Sequence, residues 1–126
     1  MRKKIVAIAL VGIMTLSNFV PAFASRNSAS ISGSTAGFNA TGTITIDNVT
    51  NEAIATATAS VPCGMDIKAV FIYNNGTRYS VSASNYATTC TAVAQKSGVQ
   101  AEGGQGYFTV TNGAYTWSNS CYAPVK

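Results

Sequence analysis

Histidine is missing from all 126 residues. Its absence removes the commonest general base, the usual nucleophilic triads and most zinc sites. Acidic residues are almost as scarce. Asp47, Glu52, Asp66 and Glu102 stand alone in their segments, so a paired-carboxylate centre has no local motif. The two leucines, Leu10 and Leu16, both lie near the N-terminus. Beyond residue 25 the chain is rich in Thr, Ser, Val, Ile, Tyr and Gly, a composition that disfavours helix and suits strands.

The first residues read MRKKIVAIALVGIMTLSNFVPAFAS. A basic start, a short apolar run and the small-x-small triplet Ala22-Phe23-Ala24 predict a secretory signal peptide over residues 1–24, cleaved after Ala24. The apolar run is shorter than the roughly 20 residues a membrane span needs. Cleavage leaves 102 residues with five cations against four carboxylates, a net charge of +1. No basic patch for nucleic acid or for anionic membrane survives in that chain. Neither a membrane anchor nor a cofactor motif is expected after cleavage, and the destination is extracellular, where disulfides persist.

The pattern that remains predicts an all-β fold, a small antiparallel β-sandwich or partly open barrel of about seven strands. Residues 25–37 are small and polar and read as a loose N-terminal arm or an irregular first strand. Residues 38–126 form a single β domain. Strict alternation in AIATATASV (53–61) marks a strand. Two Asn-Gly pairs, Asn75-Gly76 and Asn112-Gly113, sit between β-rich runs and predict two-residue hairpin turns. The first turn would put Val70, Ile72, Tyr79, Val81 and Ala83 on the core face, with Phe71, Tyr73 and Arg78 on the reverse. The second would gather Phe108, Val110, Tyr115 and Trp117 on one face. TCTAVAQK (89–96) is another strand, and SGVQAEGGQG (97–106) reads as a mobile glycine-rich loop.

Three cysteines leave at least one thiol unpaired within the chain. With strands laid up and down, Cys63 and Cys90 meet at the base of the first hairpin, whereas Cys121 falls at the far end. The expected disulfide is therefore Cys63–Cys90, worth roughly 3–4 kcal/mol in the chain-entropy picture. Cys121 is then a free thiol or the site of an intermolecular bond that makes a homodimer. A crossover connection would change this pairing. Lys126 is the one cation near Cys121 in sequence, and without histidine a catalytic thiol has no base.

Two local clusters remain. "IDNVTNE" offers Asp47, Asn48 and Glu52, but not at the spacing of a known calcium loop, so no metal site is assigned. Phe71, Tyr73 and Arg78 form either a packed cross-strand group or an exposed aromatic platform, which Tyr86, Tyr107 and Tyr122 would extend. Together these features describe a secreted, non-enzymatic binding or interaction domain whose target is an extracellular protein or glycan. Two alternatives stay open: a secreted antibacterial protein or toxin, and a self-assembling structural surface protein.

Overall fold

A computed structural model describes residues 26–125; the expected signal peptide lies outside the described residues. Six antiparallel strands form a nearly closed barrel with no helix among the described residues: β1 (Arg26–Ser34), β2 (Asn39–Asp47), β3 (Glu52–Tyr73), β4 (Arg78–Gln95), β5 (Ala101–Asn112) and β6 (Tyr115–Pro124). The count is six rather than seven because the segments 53–61 and 67–73 belong to one strand of 22 residues, β3. Likewise 78–83 and 89–95 belong to β4. Of the two readings of residues 25–37, a loose arm or an irregular first strand, the strand is found: Arg26–Ser34 are regular and pair with β2 from Arg26↔Asp47 to Ser34↔Asn39.

The β3–β4 hairpin organises the whole molecule. β4 follows one edge of β3, from Ile72↔Arg78 at the tip to Glu52↔Gln95 at the base. The other edge of β3 is shared. β2 pairs with residues 52–59, and β5 pairs with residues 64–73. Between these halves the register slips, and residues 59–62 of β3 face a single residue, Thr88, of β4. Extra residues on one strand bend it and sharpen its twist, and Pro62 withdraws one donor from the ladder there.

The hairpin folds back on itself at this bulge. Its base then lies near its tip, as the Lys96 ammonium shows by resting 5.1 Å from the ring centre of Tyr79. One leaf consists of β1, β2, the first half of β3 and the second half of β4. The facing leaf consists of β6, β5, the second half of β3 and the first half of β4. On the side away from β4, β1 and β6 come together. There the Asn27 side-chain amide donates to the Pro124 carbonyl at 2.8 Å.

The inner faces divide the work of filling the core. The first leaf supplies mostly small groups, Ala40, Ala53, Ala55, Ala57, Ala92 and Ala94, with Ile44 and Ile46 between them. The facing leaf supplies bulk: Met65, Ile67, Phe71, Phe108, Val110 and Trp117. Close approach is made possible by glycine. The Phe108 ring occupies the space where Gly42 would carry a Cβ, and the Trp117 indole does the same at Gly33. Phe108 and Trp117 stack on each other with ring centres 6.4 Å apart.

The two hairpin turns differ from expectation in different ways. At the tip of β3–β4 the loop is three residues, Asn74 to Gly76, closed by Gly76 N–H to the Tyr73 carbonyl and Tyr73 N–H to the Thr77 carbonyl. Gly76 takes φ +90°, as a bulged three-residue turn requires. Phe71 therefore opposes Tyr79 and Ile72 opposes Arg78. That is one residue from the expected register, which turns Phe71 and Tyr73 inward beside Tyr79, Val81 and Ala83 and moves Val70 and Ile72, still buried, to the reverse face with Arg78. At β5–β6 the turn is Gly113-Ala114, with Gly113 at φ +62° and Val110 opposite Trp117. This register differs by two, so the Phe108, Val110, Tyr115 and Trp117 face is kept. The expected loop 97–106 is mostly strand, since Ala101 to Gly106 pair with β3.

Replacing Gly42 by valine forces a branched side chain into the volume of the Phe108 ring. A loss of about 1–3 kcal/mol is expected, read as a lower urea midpoint. An unchanged midpoint would contradict the interleaf contact.

Candidate functional site

Each leaf also presents an outer face, and the two differ in chemistry. On the first leaf the outward positions of β1 to β4 are chiefly serine and threonine. Their hydroxyls bond one another across strands: Ser28 with Thr45 at 2.9 Å, Ser30 with Thr43 at 3.0 Å, Ser32 with Thr41 at 3.1 Å, and Thr56 with Thr91 at 3.2 Å. These pairs support the sheet by a few tenths to about 1 kcal/mol each and use up part of the donor capacity of the face. At its end, Arg26 bonds the Asp47 carboxylate at 2.7 Å.

Asp47, from the "IDNVTNE" cluster, is committed locally. Besides Arg26 it accepts the Val49 and Thr50 backbone N–H groups at 2.9 and 3.3 Å. Glu52 accepts the Thr50 hydroxyl at 3.3 Å. The carboxylates close the β2–β3 connection, in which Asn51 takes φ +58°. Among the described residues no three His, Cys, Asp or Glu side chains group as a metal site would need.

The expected platform of Phe71, Tyr73 and Arg78 is not assembled. Phe71 is 0% exposed and meets the half-buried Tyr73 edge-on, ring centres 5.8 Å apart. The one-residue register difference turns Phe71 into the core and leaves Arg78 on the opposite, outer face. The tyrosines expected to extend the platform do stand outside: Tyr86 (70% exposed), Tyr107 (37%) and Tyr122 (42%).

Register places Tyr107 and Tyr122 on the same outer face. Tyr107 opposes Ser120, and Gln105 opposes Tyr122, so the two tyrosines are diagonal neighbours on adjacent strands. On the other side, Tyr107 opposes Lys68 of β3. The Lys68 ammonium lies 5.1 Å from the Tyr107 ring centre, within cation–π range. The Tyr122 ring leans over Gly103, where a Cβ would meet its hydroxyl at 2.6 Å. One step along the strands the outer face becomes polar. Asp66 accepts a hydrogen bond from Ser84, and Thr109 shares one with Ser118 at 2.9 Å.

A shallow groove of about 280 Å³ runs beside Tyr107, between Thr109 of β5 and Ser118 and Ser120 of β6. Aromatic rings beside hydroxyls, an amide, one ammonium and one carboxylate can bind by stacking and hydrogen bonding. Nothing there pairs an acid with a base around an enclosed volume.

All three cysteines are free thiols, so the expected Cys63–Cys90 bond is not formed. The bulge explains the offset. Cys63 opposes Ala87, whereas Cys90 opposes Ala57, three positions farther along β4. Cys121 opposes Gly106 in mid-strand, and its thiol donates to the Ala29 carbonyl at 3.5 Å, facing β1. Burial pushes the Cys63 thiol above its ordinary range. Burial also raises Cys90, helped by the negative charge of Asp66 and opposed by a backbone hydrogen bond from Thr91. It raises Cys121 against a backbone hydrogen bond from Ile44.

Comparison of the chain with protein-family models, curated proteins and solved structures finds no match.

Two outcomes follow from the thiols. Alkylation of the folded, reduced protein should label the half-buried Cys121 first, and Cys63 and Cys90 only with denaturant; peptide mapping with early label on Cys63 would contradict its burial. Because each folded thiol holds its proton more tightly than the unfolded one, their contribution is complete below the unfolded value. Stability should therefore fall as pH rises above about 8.5, and Cys63→Ala should flatten that decline in pH-dependent melts.

Proposed function

We propose that the protein is a non-enzymatic extracellular binding domain, and that it holds a glycan on the outer face of β3, β5 and β6. The observation that carries this reading is that Tyr107 and Tyr122 share one outer face, with Lys68, Gln105 and the hydroxyl-lined groove beside Tyr107. Sugar rings present C–H faces that stack on tyrosine and hydroxyls that bond to serine, threonine and amide groups. The face is shallow and open at its sides, which suits an extended chain of sugars better than a small enclosed ligand. The signal-like N-terminal segment supports secretion, the setting in which such ligands occur.

Titration of a panel of soluble oligosaccharides by calorimetry tests the assignment. At least one should bind, and Tyr107→Ala should weaken it about tenfold or more, the usual cost of removing an aromatic anchor, with the melting temperature little changed. Equal affinity in a stable Tyr107→Ala protein would remove the site from this face.

A further inference from the structure

Sheet edges present rows of unpaired backbone donors and acceptors, and proteins protect them with lysine, proline, short strands or a covering segment. Here β1 and β6 cover each other's side of the barrel. β4 is different. It pairs with β3 alone, and its outer edge runs the length of an 18-residue strand. From Tyr79 to Gln95 it contains no charged residue and no proline. Its first limb, residues 78–87, ends at the bend and presents Arg78, Ser80, Ser82, Ser84 and Tyr86 on the outer face, all exposed. Tyr86 is 70% exposed, the most of any large apolar side chain among the described residues. On the inner face of the same limb, Val81 and Ala83 pack against the core but are only partly buried.

We propose that this limb pairs, antiparallel, with the same limb of a second copy about a two-fold axis through Ser82. Continuity of the faces selects the register. Outward residues must oppose outward residues; centres at Ser82 and Ala83 join equal lengths of the limb before the bend, and only the centre at Ser82 brings Arg78 and Tyr86 together. Arg78 of each copy then lies opposite Tyr86 of the other, a guanidinium beside an exposed ring. Ser80 lies opposite Ser84, and two small Ser82 side chains meet at the axis. Inside, Val81 lies opposite Ala83, which covers the apolar surface that the single chain leaves half open.

A second copy is the occupant because it brings a limb of the same length, uncharged beyond Arg78, and pairs both first limbs in one isologous contact that closes at two chains. The product is one continuous eight-stranded sheet, β6–β5–β3–β4 joined to β4–β3–β5–β6. Its outer face carries two Tyr107–Tyr122 pairs, so a repeating polymer would meet two sites at once, with the gain in avidity this brings.

Sedimentation equilibrium of the reduced mature chain, without ligand, tests the pairing. The expected mass is twice that of one chain. Ser82→Lys sets two ammonium groups opposite each other and should halve the mass without altering the circular dichroism or the melting temperature. A monomer at every concentration overturns the proposal, as does a dimer that Ser82→Lys leaves intact. Ser82→Cys supplies a second readout should the lysine variant misfold. Mild oxidation should link two chains through residue 82, whereas Val93→Cys on the other limb should not link them. Absence of the residue-82 link overturns the pairing. The mass needs no sugar, so this outcome is independent of whether the tyrosine face binds one.

Discussion

The fold depends on one bend. β3 and β4 together make a hairpin too long for a flat sheet to bury, and the excess residues at 59–62 opposite Thr88 fold it in half. Each half of β3 then collects a different neighbour on the same edge, β2 before the bulge and β5 after it. A closed apolar interior comes from stacking those two neighbours face to face, and the stacking in turn requires somewhere for the large rings to go. Gly42 and Gly33 provide that space beneath Phe108 and Trp117. The alanines around them keep the first leaf thin, so the large rings of the facing leaf approach it closely.

The same alternation that fills the interior decides what the protein offers to the outside. With Phe108 and Val110 inside, Tyr107 and Thr109 must face out. With Ile67 and Ala69 inside, Lys68 must face out, next to Tyr107. The outer face of the second leaf is therefore a consequence of the core rather than an independent feature. It is also the face that the unpaired limb of β4 would extend. Binding site and assembly edge thus belong to one sheet, whereas the hydroxyl rows of the first leaf mainly hold that leaf together.

Much of this was legible in the residues. Alternation at 53–61 marked a strand, and the aromatic face of β5–β6 survived because its turn moved by an even number of residues. The face of β3–β4 did not survive. Asn75-Gly76 signals a turn, but a two-residue and a three-residue loop share that signal, and the difference of one residue sent Phe71 inward and left Arg78 outside. SGVQAEGGQG read as loop because glycine disfavours strands locally. Gly104 and Gly106 instead sit in β5 because Ile44, Ile46 and Ala53 crowd their inner side, a contact between segments distant in sequence. The bulge also separated Cys63 from Cys90, and no local pattern announces how many residues a bend absorbs.

The most direct test of this account is the proton spectrum of the folded protein at Gly42. If the bend stacks β2 on β5, the Gly42 Hα protons lie against the Phe108 ring, with strong ring-current shifts and cross-relaxation to that ring. Unshifted Gly42 protons with no cross-relaxation to Phe108 would mean that the two leaves do not meet, and the account of both core and outer face would fail.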